Sequence, residues 1–425
     1  MSETKKRLNY VDATKGLSIL MIMMGHITSY SNPLDDWMSS FKVSIFYIIS
    51  GFLLCYTQSI NKRTFPQFAS NLFKNLMIPY ISFSIIATIF NIGRMFIEHD
   101  SSKKIMDNFL VHIFDFVFLR GIHALWFLPT IFFGEIIFYF LIKWPLFIRV
   151  IYSLAALYSI TFFSKCREWL AANVDNTSVV YHALDRLAFV AGKSFMAAWF
   201  ILAGYVIYIL YAKIDKLQLK LFIGITFTLI NISLSQINEH VDINMLKEGI
   251  HPYLFYICGI IGSIGAIALL DVITSKQEIK WLSFWGRNSL IVLCTHTALG
   301  FKSILLLGWR HYAFLPKHYT KEYLFNCFII LLLLMVFTAG VIQFVHAYCP
   351  FLIGKPFNFN FGKNNDSSPL LIGKEASKKN ISRNENPKET ISTENNNIKT
   401  KKSGLNQEKF VVNKKKDNLP PKNDD

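Results

Sequence analysis

The stretch "TKGLSILMIMMGHITSY" (14–30) decides what kind of protein this chain is. Its apolar run has the length and composition of a membrane-spanning helix, because about twenty apolar residues cross a bilayer. Yet it carries Lys15 at its start and His26 near its middle. Ionisable side chains within a membrane are rare and usually functional. The segment therefore predicts both a membrane anchor and a site built into that anchor.

The rest of the chain shares this membrane character. Only 17% of its 425 residues are charged, whereas a soluble domain carries about 25%. Apolar runs predict an all-α, polytopic integral membrane protein with about ten transmembrane helices. The predicted spans are 14–31, 42–58, 76–97, 123–142, 147–164, 194–212, 219–236, 251–272, 284–307 and 323–348. The apolar run 108–120, interrupted by His112 and Asp115, is predicted to be re-entrant or interfacial.

The ends of the chain predict its orientation and domain boundary. Basic residues in the short loops favour cytoplasmic N- and C-termini, and no small-residue cleavage site follows the first apolar run, so it should remain as an anchor. Residues 1–354 are predicted to form the transmembrane domain. Residues 355–425 hold 15 Lys and Arg against 9 Asp and Glu and predict a disordered, basic cytoplasmic tail. That tail is either simply solvated or drawn to anionic lipid headgroups.

Lys15 and His26 share one face of the first helix. Eleven residues at 100° each leave an offset of about 20°, and the rise separates the two by about 16 Å. Asp12 lies one turn before Lys15 and is expected to pair with it. The simplest interpretation is that Lys15 reaches the interface and His26 bonds to a neighbouring helix. Alternatively, the two residues form a track, with a cation for a phosphate at one end and a base at the other.

Four segments resemble the membrane-bound acyltransferase-3 family. "RLNYVDATKGLSILMIMMGH" (7–26) has the basic residue, ten intervening residues and His of that family's first helix, in the form closest to fucose 4-O-acetyltransferases. The others are "FYIISGFLL" (46–54), "HALWFLPTIFFGEIIFY" (123–139) and "FWGRNSLIVLCTHTAL" (284–299). The resemblance covers roughly residues 7–348. It departs at "NLFKNLMIPY" (71–80), where the family often has two basic residues spaced three apart and this chain has Asn71 and Lys74.

The resemblance implies transfer of an acyl group, usually acetyl, from cytoplasmic acyl-CoA to a hydroxyl of a glycan or lipid-linked sugar. Acetyl-CoA is then the donor, and the location is a plasma membrane of the bacterial inner-membrane type. His26 would deprotonate the acceptor hydroxyl, either for direct transfer or through an acyl-imidazole. Lys15, Arg63 and Lys74, with Lys143 as a further candidate, would bind the donor phosphates. Asn71 lies where the family often has a second basic residue. Either Arg63 or Lys62 supplies that missing positive charge, or the donor binds more weakly.

Other polar residues in the apolar segments are further candidates. Donors for a developing oxyanion are Ser50, Trp126 and Asn288, although Ser50 beside Gly51 fits helix packing equally well. Glu135 is expected to orient a His or to pair with a polar neighbour. The residues predicted to line the acceptor site are His123, Asn288 and His296. Asp185 and Arg186, in a predicted outer loop (165–193), are expected to form a surface pair, with sugar contact as the alternative.

Two other function classes remain open at this point. In a proton-coupled transporter or flippase, His26 and Glu135 would relay protons and the basic residues would bind an anionic or glycolipid substrate. A structural or sensor protein would leave the intramembrane polar residues unexplained. No metal-ligand spacing and no nucleotide-binding loop is present, so we expect no metal and no nucleic-acid partner. The expected partners are the acceptor and membrane lipids, and the sequence is silent on the oligomeric state.

Overall fold

The structure, a computed structural model, describes residues 7–28, 32–300, 305 and 320–356. This part of the chain is helical and has no strand, which confirms the predicted all-α membrane class. The predicted tail lies outside the described residues, apart from Lys355 and Pro356. The helices are α1 Asn9–Gly25, α2 Pro33–Phe41, α3 Ser44–Thr57, α4 Ser59–Lys62, α5 Phe65–Leu72, α6 Ile78–Ile97, α7 Ser102–Val117, α8 Phe127–Leu141, α9 Leu146–Ala156, α10 Ser159–Asn173, α11 Val179–Tyr211, α12 Leu217–Asn238, α13 Pro252–Thr274, α14 Lys280–Arg287, α15 Ser289–Thr295 and α16 Lys321–Tyr348. A π-helical segment, Phe73–Met77, joins α5 to α6, and short 3-10 turns cover His123–Trp126, Ile243–Met245 and Pro350–Ile353.

Seven helical segments in the described ranges are long and apolar enough to cross a membrane, and the bent pair α9–α10 is an eighth if it counts as one span. The seven are Pro33–Thr57, Phe65–Ile97, His123–Leu141, Val179–Tyr211, Leu217–Asn238, Pro252–Thr274 and Lys321–Tyr348. Each corresponds to one predicted span. Helix α1 has 17 residues, the lower end of the length that crosses a bilayer. The protein is therefore a multi-pass membrane protein.

Two predicted spans are broken in the structure. The span 147–164 bends by 51° between α9 and α10. The Ala156 carbonyl at the bend accepts hydrogen bonds from Ser159 Oγ (2.7 Å) and Tyr256 Oη (2.9 Å), which satisfies an acceptor that the helix no longer uses. The span 284–307 is interrupted at Asn288 between α14 and α15, and its last residues lie outside the described ranges.

The prediction of an outer loop at 165–193 was wrong, because these residues belong mainly to α10 and α11. Helix α11 has 33 residues and starts well before its apolar stretch. Asp185 and Arg186 lie on it and do not pair with each other. Arg167 binds Asp185 at 2.7 Å, and Arg186 binds the buried Asp115 at 2.8 Å. Ion pairs to neighbouring helices thus stabilise the N-terminal part of α11, which the sequence analysis had assigned to a loop.

Glycine allows α1 to cross α14 with their backbones in contact. A Cβ on Gly16 would overlap the carbonyl oxygen of Leu282, and a Cβ on Gly286 would overlap that of Asp12. Small residues at helix crossings permit such close approach in membranes. The same arrangement recurs between α3 and α11, where a Cβ on Gly51 would overlap the carbonyl oxygen of Ile201. These crossings fix α1 and α3, which carry Lys15 and Ser50.

The loop between α12 and α13 is anchored by buried polar groups. Asn238 donates from Nδ2 to the Glu248 carbonyl and accepts from the His251 N–H, each at 2.8 Å. The Glu248 side chain is only 6% exposed and accepts from Thr161 Oγ1 at 2.8 Å. Burial raises the pKa of Glu248 to about 7, although its hydrogen bonds act in the opposite direction. The native loop therefore favours a protonated carboxyl.

We predict that Gly286→Ala destabilises the protein by about 1–3 kcal/mol, because the added methyl group forces α1 and α14 apart. Thermal unfolding in detergent measures the effect. The matched control is Gly340→Ala on α16, where a Cβ meets no atom within 4 Å. Equal melting temperatures for the two variants would show that the α1–α14 contact is not tight.

We also predict that stability falls as pH rises through about 7. The folded-state pKa of Glu248 lies above its ordinary value of 4.5. The contribution of this residue to the free energy of unfolding is therefore fully present below pH 4.5 and is lost as the pH rises through the folded-state pKa. Over the whole range the loss amounts to about 3 kcal/mol. Glu248→Gln should flatten this pH dependence of the melting temperature, whereas Glu168→Gln, an exposed site on α10, should leave it unchanged.

Candidate active site

A cavity of about 350 Å³ lies between α1, α3, α8, α15 and the π-helical segment. Most of its wall is apolar, as in ligand sites that use few polar groups for orientation. Three of the predicted site residues, Lys15, Ser50 and Glu135, line it together. The remaining lining residues are Ile19, Ile22, Phe46, Leu53, Leu54, Thr57, Ser59, Asn75, Leu76, Phe127, Leu128, Ile131, Ser289, Leu290 and Leu293.

Ser50 and Glu135 form a direct pair between α3 and α8. Ser50 Oγ donates to Glu135 Oε1 at 2.5 Å, so Ser50 has a polar role while Gly51 beside it serves the packing against α11. Lys15 faces the same cavity from α1. Within the described residues Lys15 forms no ion pair with any carboxylate. Lys15 and the Glu135 carboxyl group thus line one cavity without an ion-pair contact between them.

The π-helical segment brings Asn75 to the cavity wall. Pro79 lies at the start of α6, where its ring would clash with the carbonyl group four residues earlier in a regular helix and where it lacks an N–H. The wider π-helical turn Phe73–Met77 accommodates this proline, and such turns are frequent at functional sites. Lys74 in the same turn is exposed. It lies outside the cavity wall but directly next to Asn75.

The two histidines meet at the other end of the site. His26 caps the C-terminus of α1 after Gly25, so the prediction that it lies near the middle of a membrane helix was wrong. Its ring centroid is 5.1 Å from that of His296, which follows α15. His296 Nδ1 is 2.7 Å from the Val292 carbonyl oxygen; since a carbonyl only accepts, Nδ1 carries the proton and Nε2 is the basic nitrogen.

Neither histidine is part of the cavity wall. Ile22, four residues before His26, and Leu293, three residues before His296, do line it. His26 lies about 16 Å from Lys15 along α1. The track that the spacing predicted stays a prediction, because the cavity wall includes Lys15 but not His26.

A buried charged group beside His26 was missed by the sequence analysis. Asp35, which is 0% exposed, binds His240 Nδ1 at 2.8 Å and Lys42 Nζ at 3.5 Å. A Cβ on Gly25 would overlap the Lys42 ammonium group, so the glycine makes room for this charge. The available signal was Asp35 in the first turn of the helix after "NP" (32–33) and Lys42 at its end, but nothing in the sequence connects them to His26.

Three other predicted residues lie outside the cavity wall. Asp12 does not pair with Lys15 but binds Arg7 through two hydrogen bonds of 2.5 and 3.1 Å. Arg7 precedes α1, so this pair fixes the helix start. Arg63 and Lys74 are exposed. They lie close in sequence to the lining residues Ser59 and Asn75.

The remaining predicted residues, Trp126, Asn288 and His123, are not part of the cavity wall either. Trp126 opens α8 next to the lining residue Phe127 and carries the Lys193 ammonium 4.5 Å above its ring centroid. Asn288 Oδ1 accepts a hydrogen bond from His346 Nε2 at 2.8 Å, and Asn288 directly precedes the lining residue Ser289. His123 is exposed at the start of the 3-10 turn.

Comparison with known proteins identifies the family. The model of the acyltransferase-3 family, described as an acyltransferase domain, matches residues 8–347. No curated protein and no solved structure matches. The matched range contains every helix that lines the cavity and both histidines.

We predict that Ser50→Ala destabilises the protein by about 1–3 kcal/mol, because it leaves the buried Glu135 carboxyl without that donor. Unfolding of Ser50→Ala, Glu135→Gln and the double variant in detergent measures their coupling, which should be at least about 1 kcal/mol. Ser233→Ala on the exposed face of α12 is the control and should have little effect. Strictly additive effects of the two site variants would contradict the pairing.

Proposed function

This chain belongs to the acyltransferase-3 family, and from that premise we propose that it moves an acetyl or other short acyl group from acyl-CoA to a hydroxyl of a glycan or lipid-linked sugar. The observation that carries the proposal is the apolar cavity that Lys15, Ser50 and Glu135 line. Its wall residues Ile22 and Leu293 lie on the segments that lead to the His26–His296 pair. A long donor with an anionic head and an uncharged reactive end fits such a passage. We propose that both termini are cytoplasmic and that the membrane is the plasma membrane.

The Lys15 end is proposed to receive the donor. Acyl-CoA carries several phosphate charges, and ammonium and guanidinium groups bind phosphate strongly. Lys15 supplies a cation within the cavity. Arg63 and Lys74 are exposed next to lining residues, where they can bind phosphates that stay in water. At residues 71–74, where the family often has two basic residues, Lys74 is the only one that can bind the donor phosphates.

The histidine end is proposed to carry out the chemistry. His26 removes the proton of the acceptor hydroxyl, whose oxygen attacks the thioester carbonyl; a C–O bond forms, the C–S bond breaks, and the proton leaves with the CoA thiol. Ser50 already gives its single proton to Glu135. We therefore assign the developing oxyanion to the Trp126 indole N–H, and a positioning role for the acceptor to His123, Asn288 and His296.

The experiment uses the purified wild-type protein and its variants in lipid nanodiscs, with labelled acetyl-CoA and total glycolipid from the host. Loss of a general base should lower transfer by at least about 100-fold in His26→Ala. Label in the lipid and glycan fractions and release of the CoA thiol are both measured. His99→Asn, a change at an exposed histidine after α6, is the control and should transfer within twofold of wild type.

Two results would contradict this proposal. Equal transfer by wild type and His26→Ala at equal protein amounts would exclude His26 as the base. Absence of both labelled product and CoA release from folded wild-type protein would contradict acyl-CoA as the donor.

A further inference from the structure

A second cavity, of about 230 Å³, lies where the turn between α3 and α4 meets the loop between α8 and α9. We call it the basic cavity, because Lys143 and Arg149 line it together. Among its described lining residues there is no Asp or Glu. It is distinct from the cavity that contains Lys15, whose wall includes neither of these cations. The basic cavity thus has the charge of an anion-binding site.

The two cations of the basic cavity are held in place by uncharged groups. In the part of the chain that the structure describes, neither forms an ion pair. Instead, Lys143 Nζ donates to Tyr139 Oη at 2.6 Å and lies 3.8 Å from the centroid of the same ring. Arg149 Nε donates to the carbonyl oxygen of Trp144 at 2.9 Å. These contacts orient both side chains but bring no negative charge, so an anion in the cavity would meet two charged donors.

Uncharged donors complete the wall of the basic cavity. Gln58 and Asn61 bring amide groups, and Tyr205 brings a hydroxyl group. Gln58 joins α3 to α4 with a φ of 55°, a left-handed conformation that residues other than glycine adopt rarely. Amide and hydroxyl donors beside two cations match a ligand that has several acceptor oxygens, such as a phosphate group.

The basic cavity lies at the level where a bilayer carries its phosphates. The apolar segment that contains α8 ends at Leu141, and Lys143 follows it by two residues. The next residue, Trp144, is 49% exposed, and tryptophans of membrane proteins are enriched at the boundary between hydrocarbon and water. Phospholipid headgroups occupy this boundary. A lipid phosphate can therefore reach the cavity without leaving its own layer.

Exposed apolar side chains continue from the basic cavity along two helices. Leu146, Phe147 and Val150 on α9 are 70%, 63% and 50% exposed, and they lie within one turn of the lining arginine. Val206 and Leu210 on α11, which follow the lining tyrosine, are 46% and 59% exposed. Such surfaces of a multi-pass protein face hydrocarbon. A ligand with its phosphate in the cavity would have its acyl chains beside these helices.

The headgroup chemistry favours an anionic lipid over a zwitterionic one. A choline group would bring a third cation next to Lys143 and Arg149, with no carboxylate of the described wall to compensate it. A glycerol group has no charge, and its hydroxyl groups can bond to the amides of Gln58 and Asn61. The composition of the wall therefore matches a headgroup with a net negative charge.

The basic cavity is coupled to the candidate active site through one turn of the chain. Leu54 lines both cavities. After it, Thr57 and Ser59 line the active-site cavity, whereas Gln58 between them lines the basic cavity. Thr57 Oγ1 and Ser59 Oγ are 2.6 Å apart. A ligand that fixes Gln58 would therefore also fix part of the wall that faces Lys15.

We propose that the basic cavity binds the phosphate of an anionic phospholipid from the surrounding bilayer, and that this lipid holds the turn between α3 and α4 in place. Lys143 and Arg149 bind the phosphate, and the acyl chains lie along the exposed faces of α9 and α11. The site is a lipid-binding site separate from the reaction, so it does not depend on acyl transfer.

Binding of labelled phosphatidylglycerol to the purified full-length protein in nonionic detergent tests this proposal without donor or acceptor. A basic residue near a lipid phosphate contributes about fivefold in affinity. We therefore expect Lys143→Gln and Arg149→Gln each to bind about fivefold more weakly than wild type, and the double variant roughly 25-fold more weakly. Unlabelled phosphatidylcholine should compete at least about fivefold more weakly than phosphatidylglycerol.

Two further variants separate the basic cavity from a general attraction to negative lipids. Lys213→Gln removes an exposed lysine just after α11 that does not line the cavity, and it should bind like wild type. Asn61→Trp changes no charge but fills the cavity, and it should bind as weakly as the double variant. Melting temperatures without lipid are measured for all variants. Because Lys143 is exposed, Lys143→Gln should keep the fold and gives the decisive value.

Three outcomes would overturn the proposal. Equal losses of affinity in Lys213→Gln and Lys143→Gln would show attraction to the surface without a site. Equal competition by phosphatidylcholine would show that the charge of the headgroup is not recognised. Stronger competition by free CoA than by phosphatidylglycerol would assign the cavity to the phosphates of the donor. Absence of acyl transfer in protein that still binds the lipid through Lys143 would instead contradict the proposed function and leave this binding site standing.

Discussion

The backbone contact between α1 and α14 is the constraint on which the site depends. Gly16 and Gly286 let each helix lie directly against carbonyl groups of the other. Because α15 follows α14 after a single residue, this contact also holds α15 along α1. Lys15 then faces the cavity at one end, and His26 meets His296 at the other. A change in the crossing would move both ends of the passage together.

Charge compensation in the protein interior follows a simple pattern with two exceptions. Several buried ionisable groups have polar or charged partners, as lipid-embedded proteins require. Glu135 accepts from Ser50 and Asp115 binds Arg186, each on another helix, and Asp35 binds Lys42 at the end of its own helix. In the described part of the chain, Lys15 and Lys193 form no ion pair. Lys15 lines the cavity, and the Lys193 ammonium group lies 4.5 Å from the ring centroid of Trp126.

The sequence predicted features that depend on neighbouring residues, but it did not predict contacts between residues that are distant in the chain. Hydropathy alone located seven membrane spans, and helical spacing placed Lys15 and His26 on one face. The pairing of His26 with His296, and of Arg186 with Asp115, joins distant segments that no periodicity connects. Asp185 and Arg186 were assigned to an outer loop, yet they lie on α11 and pair with Arg167 and Asp115 on other helices.

The apolar middle of the cavity has a consequence for competing chemistry. Between Lys15 and the histidines the wall consists of residues such as Ile19, Ile22, Leu290 and Leu293, which offer water no hydrogen bonds. A thioester held there would meet the acceptor hydroxyl at the histidine end before it meets solvent. Apolar side chains that take no part in the chemical step would then determine the selectivity for an alcohol over water. This selectivity distinguishes a transferase from a hydrolase.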